Sequence, residues 1–274
     1  MSETSGRPIG IFDSGFGGLT IVRALIDLVP SEHLSYVGDT GRYPYGSRPA
    51  EEVSKFARQI GRFLVEEENA KLVVVACNTA AAVALDELAA ELPVPVVGVI
   101  EPGMRAAARA TRQGHIGVIG TVGTIASGAY QQLAGRLDLG AEVHCAACPG
   151  FVEFVERGDT DSDQVHVLAE RLLAPLKEVP VDTLLLGCTH YPFLARTLGD
   201  VMGRDVVLVS SAEETGFDVV RLIEEQELGR ISATGEETEA RRRFFSTGDA
   251  SWFVEMGRLL LGPELSSAER VSFV

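Results

Sequence analysis

Leu72-Val-Val-Val-Ala-Cys77-Asn-Thr-Ala80 is an apolar run that ends in a cysteine and two hydrogen-bonding residues. Unbroken apolar residues without alternation read as a strand buried on both faces, which belongs in a parallel sheet covered by helices. The same pattern returns 111 positions later as Thr183-Leu-Leu-Leu-Gly-Cys188-Thr-His-Tyr191. A second echo precedes each: Ile9-Gly-Ile-Phe-Asp-Ser-Gly-Phe-Gly-Gly-Leu-Thr20 resembles Ile116-Gly-Val-Ile-Gly-Thr-Val-Gly-Thr-Ile-Ala-Ser127 at an offset of 107. Any two strand–turn–helix units share such features, but two echoes in the same order favour a duplicated α/β unit.

Other apolar runs extend the reading. Pro8–Phe12, Leu34–Gly38, Val94–Val99, His115–Ile119 and Val206–Val209 read as strands. Between them lie amphipathic stretches. Glu51–Glu66 carries Val53, Phe56, Ala57, Ile60, Phe63 and Leu64 on one stripe, and Asp161–Lys177 carries Val165, Leu168, Leu172 and Leu176. The alternation predicts an α/β fold with mostly parallel sheets, and the paired echoes predict two pseudo-symmetric domains with an active site in the cleft between them. The first domain is expected over residues 1–97 and 208–274, with the tail returning to it, and the second over residues 98–207.

Composition bounds the function. A net charge of -15 over 274 residues argues against nucleic acid or an anionic membrane surface as partner, since both need a basic field. Local backbone N–H groups can still hold an anionic small substrate. The start of the chain, Met1 to Arg7, has no apolar leader, and no run is long enough to span a bilayer. Four cysteines are too few for a disulfide scaffold here, so a reducing cytoplasm with free thiols is expected.

Cys77 and Cys188 each sit where a strand gives way to a helix, outside the carboxyl end of a sheet where ligands bind. A lone cysteine there is most often an inert small hydrophobe. A pair, each followed by polar residues (Asn78-Thr79 and Thr189-His190), points instead to chemistry. Two opposed sulfurs can remove an α-proton from one face of an amino acid and return one on the other. Pyridoxal phosphate does such work in many enzymes but needs a Schiff-base lysine, and Lys55, Lys71 and Lys177 are all poorly placed. No cofactor and no metal are expected.

The turn Asp13-Ser-Gly-Phe-Gly-Gly-Leu19 offers N–H groups to an anion, but it matches no nucleotide-binding spacing. Asp13 suits a helix cap, an aid to proton movement at a cysteine, or a partner for a substrate ammonium. In Asp39-Thr-Gly-Arg-Tyr-Pro-Tyr-Gly46, Arg42 is an anion partner or merely solvated. Tyr45 and Gly46 line a pocket or simply form a turn. Cys145-Ala-Ala-Cys148 has redox or zinc spacing without the companions either needs, and His33, His115, His144 and His166 share no spacing.

Together these motifs resemble glutamate racemase, in the aspartate/glutamate racemase superfamily. The matching segments are Phe12–Thr20, Tyr36–Thr40, Pro44–Gly46, Ala76–Ala80, Gly98–Gly103, Ala147–Pro149, Gly187–Pro192 and Thr247–Asp249, in the family's order along the chain. The resemblance implies cofactor-independent interconversion of L- and D-glutamate, feeding peptidoglycan synthesis. It implies Cys77 acting on D-glutamate and Cys188 on L-glutamate, with Asp13 and His190 assisting. Ser14, Tyr45, Gly46, Asn78, Thr79 and Thr189 match substrate-binding positions, while Asp39 and Glu156 match acidic residues of the site. Aspartate racemases usually carry Glu where this chain has His190, which favours glutamate over aspartate. Gly150 and Glu153 depart from the family pattern and put the geometry around Glu156 in question, and Cys145 has no family role. A homodimer is expected. Some glutamate racemases also inhibit DNA gyrase, a second reading that a supercoiling assay decides.

Overall fold

A computed structural model describes residues 6–230 and 240–273; residues 1–5, part of the stretch read above for a leader, lie outside them. The chain divides into two compact units, Met1–Val99 with Ala212–Val274, and Ile100–Ser211.

The first unit holds a six-stranded sheet. Its strands are β1 (Ile9–Asp13), β2 (Leu34–Gly38), β3 (Leu72–Val75) and β4 (Val96–Gly98), and the returning tail adds two more. The second unit holds β5 (His115–Gly120), β6 (Glu142–Ala147), β7 (Thr183–Gly187) and β8 (Val207–Val209). The tail strands are β9 (Arg242–Ser246) and β10 (Glu269–Arg270). The sheet orders are β10-β9-β2-β1-β3-β4 and β6-β5-β7-β8. Among the described residues every strand pair is parallel. Without the two tail strands the orders are the same, β2-β1-β3-β4 against β6-β5-β7-β8, so the echoes in sequence are echoes in topology. In this winding the order reverses beside β1 in one unit and beside β5 in the other, and ligands bind at such a reversal.

All residues of β1, β2, β3 and β7 are buried, which is why their sequences are largely apolar on both faces, with Asp13, Ser35 and Thr183 the polar exceptions. Each Val or Leu so buried contributes about 1.5–3 kcal/mol. The helix Ala50–Glu66 buries Val53, Ala57, Ile60 and Leu64. Phe56 and Phe63 of the expected stripe stay half-buried, and Phe63 meets Phe245 and Phe273 edge-on, at 5.2 and 5.6 Å between ring centres. The helix Asp163–Lys177 starts from Ser162, whose hydroxyl accepts from the Val165 N–H. It buries Val165, Ala169, Leu173 and Leu176. The buried line is therefore rotated from the expected one, and Leu168 and Leu172 lie at its margin.

Lys71 explains itself in the fold. It is buried, donates to Glu32 at 2.5 Å and to the Leu228 carbonyl at 2.7 Å, and Glu32 also accepts from the Arg230 N–H at 2.8 Å. A buried charge survives only when paired and hydrogen-bonded in this way. Among the described residues no helix is long and apolar enough to cross a membrane.

Candidate functional site

The first unit gathers Asp13, Ser14, Asp39, Cys77 and their neighbours at the carboxyl ends of β1, β2 and β3. Asp13 is the last residue of β1 and is fully buried. Its Oδ2 accepts from the N–H groups of Gly15 at 3.2 Å and Gly18 at 3.0 Å, so it shapes the turn into the helix Leu19–Leu28. Its Oδ1 is buried and, among the described residues, has no hydrogen-bond partner. Gly18 is required sterically: a Cβ there would lie 2.6 Å from the Asp13 Cβ and 2.9 Å from the Tyr36 hydroxyl. The Tyr36 hydroxyl in turn donates to the Gly15 carbonyl at 2.9 Å.

Cys77 follows β3 and is the N-cap of the helix Asn78–Glu91, its carbonyl accepting from the Ala81 N–H at 2.8 Å. Its thiol donates to the Ser14 hydroxyl at 3.7 Å. Burial pushes this thiol up to about 12, and the Asp13 carboxylate adds to the rise. The Ala80 N–H and the Ser14 hydroxyl and N–H oppose it, because they stabilise a thiolate. Asn78 and Thr79, in the first turn, are buried beside it in sequence.

Asp39 organises the loop that follows β2. It is fully buried and accepts two bonds from Arg42 Nε at 3.0 and 2.8 Å, one from the Thr247 hydroxyl at 2.6 Å, and one from the Tyr45 phenol. Arg42 is thus neither a free anion partner nor merely solvated. It pairs with Asp39, donates to Gln59 at 2.6 Å and lies over the Phe56 ring at 4.1 Å. Tyr45 is buried with its phenol on Asp39, and burial followed by the Asp39 charge keeps it protonated well above the usual tyrosine range. Its side chain is therefore committed to the protein, and Gly46 beside it is half-buried. Thr247, which local sequence gives no role, joins this network through its hydroxyl. The register Gly38↔Ser246 brings it level with Asp39, a relation no local signal reveals.

The second unit gathers Cys188, Thr189, His190 and Glu156. Cys188 follows β7 directly, but no α-helix starts there. A 3₁₀ turn at Tyr191–Leu194 intervenes before the helix Ala195–Met202, so the expected strand-to-helix junction holds for Cys77 and not for Cys188. Pro192 within the turn supplies no N–H. Cys188 Sγ lies 3.9 Å from His190 Nδ1, and Thr189 Oγ1 lies 3.5 Å from the same nitrogen. On the far side of the ring, His190 Nε2 is 3.6 Å from Glu156 Oε1. Thiol, imidazole and carboxylate stand in line, and His190 is buried.

Gly150 does not disturb that line. Its φ of +93° is the left-handed region that favours glycine, and it introduces the short helix Phe151–Glu156 whose last residue is Glu156. Glu153 is exposed on the same helix. Cys145 and Cys148 are free thiols. Burial pushes Cys145 up to about 11 and Cys148 to about 12, the reverse of the lowered values that make a C-x-x-C pair reactive. His115 and His144, which share no spacing along the chain, stack at 5.7 Å on neighbouring strands. Strand register, invisible in spacing along the chain, joins them.

The two cysteines therefore occupy equivalent topological positions but have different helpers. In the first unit help comes from the β1 turn, through Asp13 and Ser14. In the second the corresponding turn is capped by Thr121, which accepts from the Thr124 N–H, and help comes from His190 and Glu156.

Residues 18–215 match the family described as Asp/Glu/Hydantoin racemase. A glutamate racemase from Corynebacterium kroppenstedtii is 47% identical over 279 residues, covering 96% of each chain. The crystal structure of glutamate racemase from Francisella tularensis in complex with D-glutamate is similar with a TM-score of 0.90 at 32% identity, covering 98% of each chain. That of a glutamate racemase isoform from Bacillus anthracis gives 0.88 at 39% identity, again over 98% of each chain.

Proposed function

Because the chain belongs to the Asp/Glu/Hydantoin racemase family, we propose that it interconverts L- and D-glutamate, with Cys77 and Cys188 as the two acid/base groups. The observation that carries this is the pair of thiols at equivalent strand ends of two like-wound sheets, each with its own polar helper. Two such groups suit inversion, because one can take the proton from one face of Cα while the other supplies a proton to the opposite face.

From L-glutamate, the Cys188 thiolate takes the proton from Cα and becomes a thiol. The Cys77 thiol gives its proton to the opposite face and becomes a thiolate. Starting from D-glutamate, the two exchange roles. The high value of Cys77 suits its part as proton donor to the carbanion. The unpartnered Oδ1 of Asp13 is a proton acceptor near the thiol, and the His190 ring, backed by Glu156, plays that part for Cys188. Backbone N–H groups around Ser14, Gly46 and Asn78, with the hydroxyls of Thr79 and Thr189, suit the substrate carboxylates and limit charge on the carbanion. Tyr45 contributes through its backbone, since its phenol is held by Asp39. Glutamate rather than aspartate is supported by the 47%-identical relative and by His190. Cytoplasmic supply of D-glutamate to peptidoglycan is the matching role, and free thiols suit that compartment.

The test is racemisation followed by circular dichroism, from each enantiomer, with no added cofactor. Cys77→Ser and Cys188→Ser should each lose at least about 100-fold in rate, the scale of a positioned acid or base. Full activity in either variant would refute the two-thiol mechanism. A preference for aspartate in the intact protein would refute the substrate.

A further inference from the structure

At the opposite ends of β5 and β6 from those that face Cys188, three side chains converge that the racemase chemistry leaves unused. The register pairs His115 with Glu142 and Gly117 with His144. Side chains alternate along a strand, so His115, Glu142 and His144 stand on one face. His115 Nδ1 lies 3.4 Å from His144 Nε2 and 3.5 Å from Glu142 Oε2, and His144 Nε2 lies 3.7 Å from that same oxygen.

These separations have a chemical meaning. Around zinc, nitrogen and oxygen ligands at about 2.0–2.1 Å in a tetrahedron stand about 3.3–3.4 Å apart. The three donor atoms already form a triangle of nearly that size. Two imidazoles and one carboxylate are also a donor set that borderline divalent metals take, with water completing the fourth position. The scaffold is fixed: the Glu142 N–H donates to the Gly114 carbonyl at 2.7 Å, and the Asp182 N–H to the His115 carbonyl at 3.2 Å. The Asp182 carboxylate holds the preceding turn, accepting from the Thr111 hydroxyl and the N–H groups of Arg112 and Gln113 at 2.5, 2.7 and 2.8 Å. Ion entry is open, since the histidine side chains are 26% exposed and that of Glu142 is 73% exposed.

We propose that His115, Glu142 and His144 form a surface site for a divalent transition-metal ion of the zinc class. From His115 to the Gly120 end of β5 is about 16 Å at 3.3 Å per residue. The ion therefore clamps the β5–β6 edge of the sheet and takes no part in proton transfer at Cys188.

The experiment uses the full-length chain, stripped with a chelator and then titrated separately with Zn²⁺ and Co²⁺. Equilibrium dialysis should show one ion per chain lost on His144→Ala and weakened at least about tenfold in Glu142→Gln, whose exposed side chain leaves the fold intact. Bound Co²⁺ should show d–d bands without thiolate-to-metal charge transfer, which separates this site from the four cysteines. Zn²⁺ should raise the melting temperature of the intact protein and not of the His144→Ala variant. Metal-free His144→Ala should racemise at the unmodified rate. Equal binding by the intact protein and both variants, or thiolate charge transfer accounting for all bound cobalt, would overturn the proposal.

Discussion

Replacing Asp39 by Asn tests whether one buried carboxylate holds the loop that carries Tyr45 and Gly46. The carboxylate receives two contacts from Arg42, one from Thr247 and one from Tyr45, and it is fully buried. Asn keeps the shape but loses the charge, and its amide nitrogen meets donors where an acceptor was. Removing one partner of a buried ion pair costs about 3–5 kcal/mol. The Arg42 side chain is 19% exposed, so water recovers part of that, and about 3 kcal/mol is expected. For a protein of this size the melting temperature should then fall by about 10 °C. Thr247→Val removes one hydrogen bond and should cost about 1 kcal/mol, or about 3 °C. In function, the loosened loop should raise the KM for glutamate by about tenfold, the equivalent of about 1.4 kcal/mol of lost preorganisation. The value of kcat should change less, because the contacts of Asp13 with Gly15, Gly18 and the Asp39 backbone remain. Thermal melting by circular dichroism and initial racemisation rates read both effects. A melting temperature within about 2 °C of the parent, together with an unchanged KM, would show that Asp39 does not organise this loop.

Lys71→Met strands Glu32 in the core and should destabilise the chain by about 3–5 kcal/mol, while Lys71→Met with Glu32→Leu should recover most of the loss; urea unfolding of the three proteins measures this. Cys77, pushed up to about 12, should be about one part in ten thousand thiolate at pH 8 in the free protein. Its alkylation by iodoacetamide, followed by peptide mass spectrometry, should therefore rise about tenfold per pH unit between about pH 8 and 10. A plateau below about pH 9 would contradict the buried, carboxylate-flanked environment. The same shift has a stability consequence: an unfolded thiol ionises near its ordinary 9.0 while folded Cys77 stays protonated, so the folded chain holds more protons and loses stability as pH rises from about 9 towards 12.

Much of this protein was legible along the chain because the relevant forces are local. Burial of a parallel strand on both faces favours unbroken apolar residues, so β1, β3 and β7 could be read from short runs along the chain. A cysteine closing such a run is visible for the same reason, and repetition in the same order made Cys77 and Cys188 stand out. What stayed hidden depends on contacts between residues far apart in sequence. The link from Thr247 to Asp39, the burial of Lys71 against Glu32, and the meeting of His115 with His144 all follow from strand register and from the return of the tail. Arg42 looked available because sequence shows a charge but not its partner. The protonation of Cys77 likewise belongs to folding, since desolvation and a nearby carboxylate arise only when the chain encloses the thiol. Periodicity along the chain dictates which residues leave water, whereas the energy of a charge depends on what is folded against it.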